Sequence, residues 1–329
     1  MTLIRARVAA VHRSSLQLLH AGELVPASLA SSLIRDPDPL ARPGVGDWVK
    51  AEALPDGAWR VAAVESRHSA LVRRAAGERL EPQLLAANID VALLFAPLPD
   101  DVNPRRLVRL AALAWDGGAT PVVVLSRADL VDGTALAEAM QQVQSQLPGV
   151  DCVAISSMSD EGVAPLRPWL RPSSTLVFLG PSGAGKSTLV NRLAGAALMR
   201  TGVVADDGRG KHTTTHRALI TLPDDVTVID TPGLREVGMW VGSAGSEHLF
   251  ADIMTLAEGC RFGDCTHAQE PGCAVLSALE SGTLGADRYD QWRQLQREWD
   301  RAERSVHEQR RFERTFGRAV KRFYKDRGT

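Results

Sequence analysis

Long apolar runs are what this sequence most plainly lacks. None approaches the ~20 residues needed to cross a bilayer, and no stretch is repeated or of low complexity. Residues 1–20 are interrupted by Arg5, Arg7 and Arg13 and alternate like a strand, so they do not read as an export signal. We therefore expect a cytoplasmic protein with no membrane association. Excess charge is missing as well. The formal net charge is −1, so the chain is no polycation, and any grip on nucleic acid must come from local basic patches. Cysteine is scarce, with four residues in 329, and three of them (Cys260, Cys265 and Cys273) crowd beside His267. Without an export signal, that clustering favours a metal over disulfides. Cys152 stands apart in an apolar strand and reads as core.

What is present is enough ordinary globular sequence for two or three domains. Over residues 1–70 short strands alternate with turns: LIRARVAAV, SLQLLH, GDWVKAEAL and AWRVAAVES, punctuated by Gly44, Gly46 and Pro55-Asp56-Gly57. That pattern suits a small barrel, with the OB-fold as first candidate; a β-sandwich or an SH3-like barrel would read the same way. Over 71–245 the apolar runs NIDVALLFAP, TPVVVLSRADL, VDCVAISS, STLVFLG and DVTVIDTPG alternate with helical stretches. The expectation is a doubly wound α/β domain on a parallel sheet. Residues 246–329 read as mainly helical, interrupted by the Cys/His cluster.

The strand STLVFL runs directly into Gly180-Pro181-Ser182-Gly183-Ala184-Gly185-Lys186-Ser187-Thr188 and then a helix. This is G-x-x-x-x-G-K-S in its required strand–loop–helix setting. Its backbone amides and helix N-terminus suit phosphate. Lys186 is expected on the β- and γ-phosphates and Ser187 on Mg²⁺. Asp230-Thr231-Pro232-Gly233 ends the next strand as a D-x-x-G element, with Asp230 towards the Mg²⁺ shell and the Gly233 amide towards the γ-phosphate. Between them, Gly208 to Thr215 reads as a switch loop in which Thr214, with Thr213 and Thr215 as rivals, meets Mg²⁺.

A P-loop does not distinguish ATP from GTP. Ser126-Arg127-Ala128-Asp129, at the end of TPVVVL, resembles the N-K-x-D element of GTPases. Asp129 would accept two hydrogen bonds from guanine, a donor pair adenine does not offer. Ser126 stands for asparagine and reaches fewer contacts; Arg127 stands for lysine and can stack its planar head over the base. Ser156 and Ser157 resemble the S-A element that supports the base through a backbone amide.

Cys260-x₄-Cys265-x-His267-x₅-Cys273 offers three sulfurs and one imidazole, a closed tetrahedral zinc set that leaves no open position, hence a structural site. Residues 287–327 read as one charged helix. Phe312, Phe316, Val320 and Phe323 form an apolar stripe beside a basic one of Arg311, Arg314, Arg318, Lys321 and Lys325, a footprint for an RNA backbone or simply a solvated face.

In ordinary GTPases the base-reading elements follow the P-loop; here they precede it. This permuted order, followed by a metal cluster, resembles the ribosome small subunit-dependent GTPase family (RsgA, also called YjeQ). GDWV, RRAAGERLEPQLLAANID, KHTTTHRAL and DTPGLRE match it too, so the likeness runs over nearly the whole chain. The resemblance implies an RNA-binding OB-fold, a circularly permuted GTPase and a C-terminal zinc domain whose ligands are Cys260, Cys265, His267 and Cys273. It implies GTP hydrolysis to GDP and phosphate, stimulated by the small ribosomal subunit and serving that particle's late maturation through contacts with its rRNA. We expect a monomer. Leu234 follows Gly233 where Ras-like proteins carry a glutamine, which closes that route; His212, beside the switch-loop threonines, is a candidate to orient water. Two rival classes remain. A P-loop ATPase or nucleotide kinase would use ATP equally well, and a zinc-dependent RNA-binding module would use GTP only for shape.

Overall fold

The computed structural model describes residues 3–12, 15–55, 57–74, 82–99, 101–198, 218–230, 243–298 and 300. The N-terminal strands are β1 (Ile4–Val11), β2 (Leu16–His20), β3 (Glu23–Leu29), β4 (Trp48–Ala53) and β5 (Trp59–Val64). They follow the order β1-β2-β3-β5-β4, and β4 closes back on β1 from Ile4↔Ala51 to Arg7↔Trp48. Closure removes the exposed edges an open sheet would carry. This is the OB-type barrel. Its interior is filled by Val8, Leu16, Leu18, Val49, Ala51 and Val61, the inward members of alternating strands.

A hairpin of β6 (Ala70–Arg74) and β7 (Pro82–Ala87) leads into β8 (Val91–Pro97), β9 (Thr120–Ser126), β10 (Asp151–Ile155), β11 (Thr175–Leu179), β12 (Ala218–Thr221) and β13 (Thr227–Asp230). Their order is β10-β9-β8-β11-β13-β12, parallel except for β12. β8 and β11 are buried along their whole length, as their unbroken apolar runs require. β10 sits at the edge and is only half-buried. One face packs the helix Pro104–Asp116, started by Asn103, whose side chain accepts from the Arg106 amide, and by Pro104 at the first position. The other packs the helix Lys186–Ala194 through Leu189 and Val190, beside the tilted pair Phe95–Phe178. The chain winds outward through β8, β9 and β10, then returns to β11 on the opposite side of β8. That reversal opens a crevice at the carboxyl ends of β8 and β11, where ligands bind in such sheets.

Barrel and α/β sheet are continuous, because β1 also pairs with β12 at Ala10↔Ala218. Arg7 crosses this seam. Its buried guanidinium donates to the Thr175 hydroxyl (2.6 Å), the Asn88 carbonyl (3.3 Å), the Gly46 carbonyl (3.2 Å) and the Thr227 hydroxyl (3.4 Å). Burial pulls its pKa down, against the pull of Asp90, Asp225 and Asp47. Gly46 sits at φ +92°, and a Cβ there would run into the Ala87 carbonyl, so barrel and hairpin approach as closely as only glycine permits. Asp47, buried alongside, takes a bidentate pair from Arg67 at 2.7 and 2.8 Å.

The helices Ser243–Leu249, Ala251–Ala257 and Ala274–Glu280 and the helical residues 286–298 complete the described chain. Gly245 lies against Ala112 of the helix Pro104–Asp116. Arg288 locks this end down, pairing with Asp252 at 2.7 and 2.9 Å and donating to the carbonyls of Leu249 (2.6 Å) and Gln146 (3.0 Å). Among the described residues, no helix is long and apolar enough to cross a membrane. The basic tail expected from residue 301 onward, with its aromatic and arginine stripes, lies outside the described residues.

Candidate nucleotide-binding site and metal centre

Three loops and the end of β13 meet at the carboxyl ends of the parallel strands. The first leaves β11 at Gly180, whose φ of +145° and tight approach to Phe95 admit no side chain: a Cβ would stand 2.7 Å from the Phe95 carbonyl oxygen. Gly183 and Gly185 also take positive φ, and Gly185 caps the helix that starts at Lys186. The Lys186 ammonium reaches back over the loop to the carbonyls of Gly180 (2.9 Å) and Pro181 (2.6 Å). The arrangement is a glycine-shaped loop running into a helix N-terminus with a cation folded over it, suited to an anion. Ser187 stands half-buried and Thr188 exposed on the first turn of the helix.

The second loop leaves β9 at Ser126, which is buried at 3% exposure. Its hydroxyl donates to the Ala184 carbonyl at 2.8 Å. Arg127 follows in the left-handed region, and its guanidinium donates to the Gly183 carbonyl. Both side chains therefore grip the P-loop. Ala128 packs against the core, while Asp129 is exposed on the short turn Ala128–Leu130.

The third loop leaves β10 after Ile155. The Ser156 amide donates to Gly162 O (3.0 Å), and its hydroxyl accepts from the Met158 amide (3.3 Å). The Ser159 hydroxyl takes the Gly162 amide at 3.0 Å. Arg192, from the helix that begins at the P-loop, donates to the carbonyls of Ser157 (3.1 Å) and Met158 (2.7 Å) and meets Asp160 at 3.4 Å.

The fourth element is the end of β13, where Asp230 stands opposite Phe178 of β11 and so beside the P-loop. Burial raises its pKa, and the Lys186 charge works in the opposite direction. Gly233, His212, Thr213, Thr214, Thr215 and Leu234 lie outside the described residues.

Away from this crevice, Cys260, Cys265, His267 and Cys273 bring their ligand atoms within 4.8 Å of one another. His267 Nδ1 is 3.4 Å from Cys260 Sγ and 3.5 Å from Cys273 Sγ, and the two sulfurs are 3.8 Å apart. A tetrahedron with metal–sulfur bonds of ~2.3 Å and metal–nitrogen bonds of ~2.0–2.1 Å has edges of about 3.8 and about 3.6 Å. The donor set therefore fits a four-coordinate ion. Burial lowers the His267 pKa, the direction that favours the neutral ring a metal ligand requires. Supporting contacts hold the knuckle. The Tyr289 hydroxyl donates to the His267 carbonyl (2.6 Å) and Arg293 to that of Thr266 (2.8 Å). Glu270 accepts from the Thr266 hydroxyl and from the amides of Thr266, Ala268 and Gln269, which hold its carboxyl far below the usual range.

The model of the RsgA GTPase family matches residues 64–240. A relative from Listeria monocytogenes serotype 4b, named "Small ribosomal subunit biogenesis GTPase RsgA 2", is 45% identical over 294 residues, which is 89% of this chain and 82% of its own. The chain belongs to the RsgA GTPase family. It is a GTP-hydrolysing enzyme. An RsgA of the same descriptive name from Streptomyces avermitilis is 43% identical over 298 residues, 90% of this chain and 80% of its own. Among solved structures, YjeQ from Thermotoga maritima has a TM-score of 0.65 at 22% identity, over 89% of this chain and 97% of that one. YloQ, titled a circularly permuted GTPase, has 0.63 at 22% identity, over 91% and 96%. The RsgA fold is thus the permuted one: the loops after β9 and β10 precede the P-loop in sequence and flank it in space. Sequence reading missed Arg192, whose only signal was a basic residue in the last turn of the P-loop helix. It also missed that Ser126 and Arg127 hold the P-loop.

Proposed function

We propose that this GTPase binds the small ribosomal subunit and assists its late maturation, with hydrolysis stimulated by the particle. The names of the relatives support the ribosomal partner. The observation that carries the nucleotide reading is the double grip of Ser126 and Arg127 on the P-loop, which makes base and phosphate recognition one unit. In this reading residues 1–70 form an RNA-binding barrel, 71–245 the GTPase and 246–329 a zinc-binding helical domain. The chain acts in the cytoplasm as a monomer on rRNA.

Asp129 accepts from guanine, and the Ser157 amide supports the base, since the Ser156 amide is already engaged by Gly162. Arg127 lies between base and phosphate loops. The amides of Gly180 to Thr188 surround the phosphates, and Lys186 exchanges its loop carbonyls for phosphate oxygens. Ser187, Thr214 and Asp230 hold Mg²⁺, which supplies charge neutralisation when bound with the nucleotide. The Gly233 amide meets the γ-phosphate, and His212 orients water. Zn²⁺ on Cys260, Cys265, His267 and Cys273 has a structural role, because four protein ligands leave no position for substrate.

Co-sedimentation tests the partner. The protein loaded with a non-hydrolysable GTP analogue should pellet with small subunits and be released with GDP. Equal recovery in the supernatant for both nucleotides would refute the ribosomal reading.

A further inference from the structure

We propose that Arg192 is a positioning residue for guanine recognition, tying the base-supporting loop to the helix that begins at the P-loop. The inference rests on the assignment of Ser157 to the base. A backbone amide reads a base edge only if its peptide plane is held still, and the loop after β10 is short, with Ser156 and Ser157 half-buried and Met158 and Ser159 exposed. Its amino-terminal side is anchored by the Ser156 amide on Gly162, where a Cβ would collide with the Ser156 carbonyl. The next two peptide carbonyls, of Ser157 and Met158, both point at one guanidinium. The Ser157 amide lies in the plane joining Ser156 to Ser157, which sits between two anchored neighbours: the Ser156 amide before it is held by Gly162, and the plane after it, joining Ser157 to Met158, is gripped at its carbonyl by Arg192 and at its amide by the Ser156 hydroxyl. Charge-assisted hydrogen bonds of this kind are about twice as strong as neutral ones, and a planar fork holds two acceptors in fixed relation where an ammonium does not. The contact with Asp160 is more exposed, at 36% and 86% for the two side chains, and adds little.

Helix geometry makes the link directional. Arg192 lies six residues beyond Lys186 on one rigid helix, so the loop that supports the base is fixed relative to the group that meets the phosphates. With the grips of Ser126 and Arg127 on the other base-reading loop, the P-loop unit holds the base site from both sides. The two braces act on different atoms of guanine. Asp129 faces the ring nitrogen and the 2-amino group; an amide at Ser157 faces the 6-oxygen.

Nucleotide affinities separate these roles. Inosine triphosphate keeps the 6-oxygen and lacks the 2-amino group; ATP lacks both. In Arg192→Ala we expect affinity for GTP and ITP to fall together by about tenfold, the GTP/ITP ratio to stay as in wild type, and ATP affinity to stay unchanged. Arg192→Lys should recover part of the loss. The unchanged ATP affinity serves as the folding control. Wild-type GTP affinity in Arg192→Ala, or an equal loss for ATP, would overturn the proposal. Asp129→Ala in the same assay checks the underlying reading: it should abolish the GTP/ITP difference. If that difference survives, the base-site assignment falls and the role of Arg192 falls with it.

Discussion

The Ser126 hydroxyl donates to the Ala184 carbonyl at 2.8 Å, across 58 residues of sequence and at a site closed to solvent. The residue that breaks the asparagine pattern of the base-reading element is thus spent on the shape of the phosphate loop. Ser126→Ala would leave a buried carbonyl without this donor, at a cost of about 1–3 kcal/mol. We expect affinity for GTP and ATP to fall in parallel, by roughly tenfold, with base preference retained. Titration calorimetry with both nucleotides checks this; a loss confined to GTP would place Ser126 at the base instead.

Arg7 makes the barrel and the GTPase sheet one folded body. Arg7→Leu strips donors from two carbonyls and two hydroxyls at a buried seam. The expected destabilisation is about 2–4 kcal/mol, seen as a lower denaturant midpoint. The nucleotide loops lie at the opposite ends of β11 and β13, so GTP affinity measured well below that midpoint should hold. An unchanged midpoint would show that the seam contributes nothing.

Much of this could be read from sequence, and the reasons differ by element. The parallel strands announced themselves because strands buried on both faces must be apolar throughout, as in VALLFAP and TLVFL. The P-loop and the cysteine cluster were legible because their chemistry fixes residue type and spacing. β3 was not, since Pro26 and several exposed positions break its alternation, and β12 offers only four residues. Arg192 and Arg7 were invisible for another reason. A surface arginine and a seam arginine look alike until distant carbonyls are brought to them.

Asp230 gives the site a pH dependence with a definite sign. Burial raises its pKa, so protonation in the folded state sets in at a higher pH than for an exposed aspartate. The folded protein without nucleotide should gain stability from this group as pH falls, and lose that gain as pH rises through the raised pKa. In the proposed role of Asp230 towards Mg²⁺, binding of Mg²⁺–GTP needs its ionised form and should weaken on acidification before an ordinary aspartate would titrate. Affinity that stays flat through the ordinary carboxylate range would contradict this.

The cysteines should separate chemically. Burial pushes the Cys152 thiol up to about 11, so it stays protonated near neutrality. With metal bound, alkylation at mildly alkaline pH should modify almost nothing. After chelation Cys260, whose thiol, against the effect of burial, neighbouring hydrogen bonds hold below its ordinary value, should react while Cys152 does not, read by peptide mass spectrometry. A Cys260 that alkylates equally fast with and without chelator would argue against a bound ion.

The most direct test of the whole account is turnover of GTP and of ATP by the purified protein, with and without small ribosomal subunits. We predict slow, GTP-selective hydrolysis that rises many-fold when the subunits are added. Equal use of ATP, or a GTP rate indifferent to the subunits, would contradict it.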